Sequence, residues 1–163
     1  MIKRQALLAI AIAVAAPLQT AQAGEFGINV YGLSYHFDRD LAEENDTDNE
    51  FNPGVGLRYR FAEWDRWSFD VEADVYRDSG RNTATVAGVA ALYELGAGFR
   101  IGAGLAAFHS DTYNQGDSFV APIPLVSYDW KAISLNATFF PKVSNFNDVS
   151  TLGFWLTIWP ERW

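Results

Sequence analysis

The chain has no cysteine, so no disulfide can hold it together. Its one methionine is residue 1, and it has only two histidines, His36 and His109, so few imidazoles are available for chemistry. Basic residues are scarce: 12 Lys and Arg stand against 20 Asp and Glu, a formal charge of -8. A chain this acidic is a poor nucleic-acid binder. Beyond the first two dozen residues no segment holds the roughly 20 apolar residues of a membrane helix. What the chain has is aromatics, 15% of all residues, including six tryptophans.

The first residues spell an export signal. Met1-Ile2-Lys3-Arg4 is positive, Ala6 to Ala16 is apolar, and Ala21-Gln22-Ala23 is a small-residue cleavage pattern. The apolar run is too short for an anchor helix. The expected organisation is a signal peptide over 1–23, cut after Ala23, and one domain over 24–163. Cleavage removes Lys3 and Arg4 and no acid, leaving the mature chain more acidic still. An exported protein of this size without disulfides fits the Gram-negative envelope.

Eight strand-like segments follow, separated by turn signals: Phe26–Phe37, Asn52–Phe61, Trp67–Arg77, Thr83–Glu94, Gly96–His109, Ser118–Asp129, Lys131–Phe140 and Thr151–Pro160. Each is near the length that crosses a bilayer as a tilted strand. Connections alternate between short (Ala62–Arg66, Leu95, the Asp129-Trp130-Lys131 corner) and long and polar (Asp38–Phe51, Asp78–Asn82, Ser110–Asp117, Pro141–Ser150). Trp64, Trp67, Trp130, Trp159 and Trp163 gather at the short-turn end, as an interfacial belt would. The expected fold is all-β, an eight-stranded antiparallel transmembrane β-barrel in the outer membrane, with both termini on the periplasmic side.

Strand alternation sorts the faces. Trp67, Phe69, Val71, Ala73 and Val75 face lipid, leaving Ser68, Asp70, Glu72, Asp74 and Tyr76 inside. By the same parity Tyr31, Leu33, Tyr35 and Phe37 face out. Arg58, Arg60, Asp70, Glu72 and Arg100 are expected to form a self-neutralising interior cluster in the periplasmic half, with Arg58 near Asp70 and Arg60 near Ser68. Gly32, Ser34, Gly54, Gly56, Gly88, Ala90 and Gly104 are candidates for the upper interior; their small size leaves room for an acyl chain. The plainer reading is tight packing around interior glycines.

Parity also turns His36 inward at the outer rim and continues the inward set of the third strand to Asp78, with Ser79 next. A serine hydroxyl needs a neighbouring base to become a nucleophile or to deliver a proton, imidazole is such a base, and a carboxylate can orient it. His36, Asp78 and Ser79 are therefore catalytic candidates. A rival lies at His109-Ser110-Asp111, where neighbouring residues must point to opposite sides. The first outer loop, Asp38 to Glu50, carries seven acids against Arg39. It reads as a solvated loop, or else as a divalent-cation site facing phosphorylated lipid.

In order along the chain, "SYHF", "NEFNPGVGLRYRF", "DVYRDSGRN" and "PIPLVSYDWKAISLNATFFP" resemble the lipid A palmitoyltransferase family. The resemblance runs from about Phe26 to Trp159. It implies an outer-membrane enzyme that moves a palmitoyl chain from a phospholipid donor to a lipid A acceptor, as a monomer and with no cofactor. It implies that His36, Asp78 and Ser79 are the catalytic residues. It also implies two lateral gates where prolines interrupt the ladder: Pro122, Pro124 and Pro141 between strands six and seven, and Pro53 between strands one and two. The chain departs from better-known members in having no amphipathic helix before the first strand and no proline within it. The remaining readings are a lipase or lipid A deacylase using His109 and Ser110, and a structural or adhesive barrel without activity.

Overall fold

The computed structural model describes residues 24–143 and 146–163, so the signal-peptide reading of 1–23 lies outside them. Eight antiparallel strands close into a barrel in sequence order: β1 (Glu25–His36), β2 (Phe51–Trp64), β3 (Trp67–Arg77), β4 (Thr83–Gly96), β5 (Phe99–His109), β6 (Phe119–Trp130), β7 (Ile133–Phe140) and β8 (Thr151–Ile158). β1 pairs with β8 to complete the ring. Closure gives every strand two partners, so that few backbone groups are left unpaired in lipid, where each would be costly. The outer face is apolar. Phe26, Val55, Leu57, Val89, Ile101, Leu105, Val126 and Leu135 are all exposed on it, the band that a bilayer-spanning barrel presents.

The short connections are tighter than the sequence suggests. β2 and β3 pair as far as Trp64 opposite Trp67, so the turn is Asp65-Arg66, with Asp65 at φ +53. The next one is centred on Ala97-Gly98, with Leu95 taken up in a bulge between Glu94 and Gly96. The first long loop contains a short helix, α1 (Arg39–Glu44), which sequence periodicity did not reveal. Asp38 starts it by accepting a hydrogen bond from the Leu41 amide at 3.1 Å.

Two bulges correct the expected register. One lies at Gly32, between Tyr31 and Leu33. It returns Tyr31 to the interior, where its ring stacks on Tyr76 (4.9 Å) and Trp155 (5.5 Å). The other lies at Phe61, between Arg60 and Ala62. Together with the tight turn it sets Arg58 opposite Glu72 and Arg60 opposite Asp70, rather than the expected Arg58–Asp70 and Arg60–Ser68.

The lower interior is a buried ionic network. Arg58 donates to Glu72 through Nη2 (2.6 Å) and Nε (3.0 Å), and Arg60 Nε donates to Asp70 Oδ1 (2.9 Å). Arg100 donates to Ser68 Oγ at 2.9 Å and pairs with Asp129 at 3.1 Å. Neutral groups carry the network across the barrel. Arg58 donates to Asn136, Asn136 to Thr157, and Thr157 to Asn29, which donates to Asp74 at 2.8 Å. The Tyr31–Trp155–Tyr76 tier covers this layer, with the Arg58 guanidinium 5.7 Å from the Trp155 ring.

Breaking such a pair on one side leaves a buried charge unmatched. Glu72→Leu should therefore destabilise the barrel by about 3 kcal/mol, and Arg58→Leu combined with Glu72→Leu should recover most of that loss. Urea unfolding in lipid vesicles, read by tryptophan fluorescence, checks both.

Candidate functional site

Above the aromatic tier the barrel is hollow. A cavity of about 400 Å³ is walled by Val86, Ala106, Phe108, Ile123, Leu125 and Phe140, and Ser34, Gly88, Ala90 and Gly104 line it as well. Its walls are apolar because the inward positions of β4, β5 and β6 are aliphatic, aromatic or small at this height. The remaining glycine candidates do not open space. A Cβ at Gly54 would lie 2.2 Å from Tyr76 Cβ, and one at Gly56 would lie 1.8 Å from Asp74 Oδ1. Those glycines make room for neighbouring side chains. Gly32 sits in the bulge, where a side chain would meet nothing within 4 Å, and it does not line the cavity.

The cavity has a lateral opening. β6 and β7 pair only from Leu125–Thr138 down to Trp130–Ile133. Above that level Phe119–Pro124 pair with β5 alone, and Phe139 and Phe140 with β8 alone. Pro122 and Pro124 alternate along β6, so both withdraw an N–H from the same side of the strand. That side faces β7, because the Pro124 carbonyl accepts from Thr138 Oγ1 at 2.9 Å. Pro122, Pro141, Val143 and Phe146 are among the residues that line the cavity. Pro53 makes no second gap. It lies across from the Gly32 bulge, with Tyr31–Gly54 and Leu33–Phe51 paired on either side. The Ser34 amide then bonds the Glu50 carbonyl at 3.0 Å, closing the rim.

At the mouth, His36, Asp78 and Ser79 are all buried. His36 ends β1 and Ser79 begins the loop after β3. Their side chains meet, with Nε2 3.0 Å from Oγ. Asp78 is adjacent but does not serve the imidazole as the sequence reading expected. Its Oδ1 accepts from the Asn82 amide at 2.9 Å, and its Oδ2 accepts from Ser110 Oγ. Ser110 Oγ in turn accepts from the Thr112 amide at 3.0 Å. Asp78 thus ties the β3–β4 loop to the β5–β6 loop. The carboxylate beside the ring is Glu50, whose Oε1 lies 3.6 Å from His36 Nδ1 and accepts from the His36 amide at 3.1 Å.

The rival constellation separates as alternation requires. Ser110 points inward to Asp78, while His109 is exposed and shares a 3.2 Å contact with Ser118 Oγ. The acids of the first loop are likewise apportioned. Asp48 pairs with Arg81 at 2.9 Å, which holds its carboxyl below the usual range. Among the described residues no three His, Asp or Glu side chains are grouped to hold a metal ion.

Two site residues escaped the sequence reading. Glu50 falls at the end of the acidic loop in sequence, although the inward parity of Asn52 and Gly54 extends back to it. Tyr113 gave no signal at all, since it comes from an irregular loop. It lines the cavity together with Ser79, and burial, with the Asp78 charge adding, pushes its phenol up to about 12, so it is a neutral hydroxyl at physiological pH.

No family model and no curated protein matches the chain. Among solved structures, the crystal structure of Ail, the attachment invasion locus protein of Yersinia pestis, in complex with the heparin analogue sucrose octasulfate, aligns over 85% of this chain and 98% of that chain. Its TM-score is 0.34 and its identity 13%, an overlap too loose to speak to function.

If Asp78 braces the loops, Asp78→Ala should raise hydrogen exchange at the Asn82 and Thr112 amides about tenfold or more, as bonds worth roughly 1 to 3 kcal/mol are lost. Amides in the β2–β3 turn should exchange as before. Exchange followed by NMR in micelles checks this.

Proposed function

We propose that this protein is an outer-membrane acyltransferase that takes a long acyl chain from a phospholipid and passes it to a hydroxyl of lipid A, the activity that the sequence resemblance implies. The observation that carries the reading is the 3.0 Å contact between Ser79 Oγ and His36 Nε2 at the mouth of an apolar cavity that opens sideways. A hydroxyl–imidazole pair is the minimal apparatus for acyl transfer.

In this reading the donor's acyl chain enters between β6 and β7 from the membrane plane. Each methylene buried contributes about 0.8 kcal/mol, which fixes the ester at the mouth. From Thr151, paired with His36, to Trp155, paired with Tyr31, the chamber spans four residues, or about 13 Å along the strand. His36 Nε2 takes the Ser79 proton as Oγ attacks the ester carbonyl. The ester C–O bond then breaks, and the imidazolium returns the proton to the departing glycerol oxygen. The acceptor hydroxyl repeats the sequence on the acylated Ser79 and restores the serine. Tyr113, a neutral hydroxyl beside Ser79, is placed to donate to the carbonyl oxygen as it gains charge. A deacylase would use the same first half-reaction with water as acceptor, so products separate the two activities.

Mass spectrometry of lipid A from cells with and without the protein should show a gain of one palmitoyl group. Ser79→Ala and His36→Asn should each abolish the gain while keeping the heat-modifiable electrophoretic mobility of a folded barrel. Free fatty acid without modified lipid A would indicate the deacylase, and neither product would indicate an inert barrel. Ala106→Phe, which fills the cavity wall at an overpacking cost of about 1 to 3 kcal/mol, should shift the transferred chain to shorter lengths.

A further inference from the structure

For Ser79 to give its proton to His36, Nε2 must be bare and the ring proton must sit on Nδ1. A buried Nδ1–H needs an acceptor to hold that tautomer. Asp78 does not reach it: its carboxylate is turned toward Asn82 and Ser110, and the carboxylate within 4 Å of the ring nitrogen is that of Glu50. Nδ1 has no hydrogen-bond partner, and the nearest carboxylate oxygen is Glu50 Oε1 at 3.6 Å.

Glu50 is itself held in place. It precedes β2, its Oε1 accepts from the His36 amide, and Arg39 of α1 donates to Oε2 at 2.9 Å. Partial burial pushes the carboxyl up, but the His36 amide and the Arg39 guanidinium outweigh it and keep Glu50 below the usual carboxylate range. The other groups facing His36 are Ser79 on Nε2, the Asp48 carboxylate, which is occupied by Arg81, and the Arg39 cation.

We propose that Glu50 is the positioning residue of the site, the carboxylate that keeps His36 in the Nδ1–H tautomer and steadies the imidazolium during transfer. The assignment rests on the acyl-transfer reading for its purpose, though not for its geometry. Asp78 remains a brace between loops. The 3.6 Å separation needs only a small ring rotation to become a hydrogen bond, and contacts of this kind are often long before substrate binds.

The test uses the full-length protein in micelles, with ¹⁵N-labelled histidine and His109→Asn as background so that only His36 reports. Nitrogen shifts should give the Nδ1–H tautomer in the parent. Glu50→Ala should move the population toward Nε2–H, and Asp78→Asn should leave it unmoved. In the transfer assay Glu50→Ala should lower kcat about a hundredfold with KM unchanged. Should that variant fail to fold, as judged by heat-modifiable mobility, the near-isosteric Glu50→Gln should still lower kcat at least tenfold. An unaltered tautomer and unaltered kcat in a folded Glu50 variant would overturn the proposal, as would a tautomer governed by Asp78. If the parent transfers no acyl chain but the tautomer follows Glu50, the functional reading falls and the positioning contact stands.

Discussion

The Arg58–Glu72 ion pair and the polar chain tied to it set the terms for the rest of the barrel. A strand that crosses lipid must put its apolar residues outside, so every charge it carries goes inside. In a ring of eight strands the interior is narrow enough for side chains to fill it. Here the long charged residues crowd the lower half, where Arg58, Arg60 and Arg100 meet Glu72, Asp70 and Asp129. Such an ionic layer adds little net stability over apolar packing, but it penalises any slip that would unpair a charge. It therefore fixes the register of β2, β3 and β5, and with it the height at which each strand reaches the rim.

Above that layer the composition of the inward positions changes. The Tyr31, Trp155 and Tyr76 rings separate wet from dry, and Val86, Ala106, Ile123 and Leu125 continue upward with no polar group to satisfy. The hollow and the β6–β7 opening occur at the same height. A full ladder there would seal the cavity from the membrane. Two prolines in alternate positions remove the donors, and Thr138 caps the last free carbonyl on the Pro124 side. The seam ends without leaving that oxygen unpaired, and above it no β6–β7 ladder closes the barrel wall beside the cavity.

Much of this was legible from alternation. The strand count, the inward face of β3 and the meeting of His36 with Ser79 all follow from a period of two carried along each strand. What was lost is what breaks that period. The Gly32 bulge reversed Tyr31, which turned a lipid-facing residue into the chamber floor. The Phe61 bulge and the two-residue turn moved the ion pairs by one partner. Glycines misled for a different reason, since a missing side chain reads as empty space whether or not a neighbour fills it. Tyr76 and Asp74 fill it at Gly54 and Gly56. Asp78 shows the limit most clearly. Sequence placed the residue at the rim, but the direction of its carboxylate depends on Ser110 and Asn82, which arrive from two loops of irregular backbone.

Those loops raise the question of what makes the rim stiff enough for a 3.0 Å contact to persist. The Asp48–Arg81 pair is exposed and contributes little. Firmer ties run through backbone and buried groups. The Asn49 amide bonds the Ser79 carbonyl at 3.2 Å, and the Asn49 side chain donates to the Asp78 carbonyl at 3.0 Å. Glu50, the next residue, bonds β1 through its own carbonyl and through the His36 amide. One dipeptide, Asn49-Glu50, thereby holds Ser79 from one side and His36 from the other. Loop movement that displaced either partner would have to break backbone hydrogen bonds on both sides, so the distance between base and hydroxyl is set by the entry to β2.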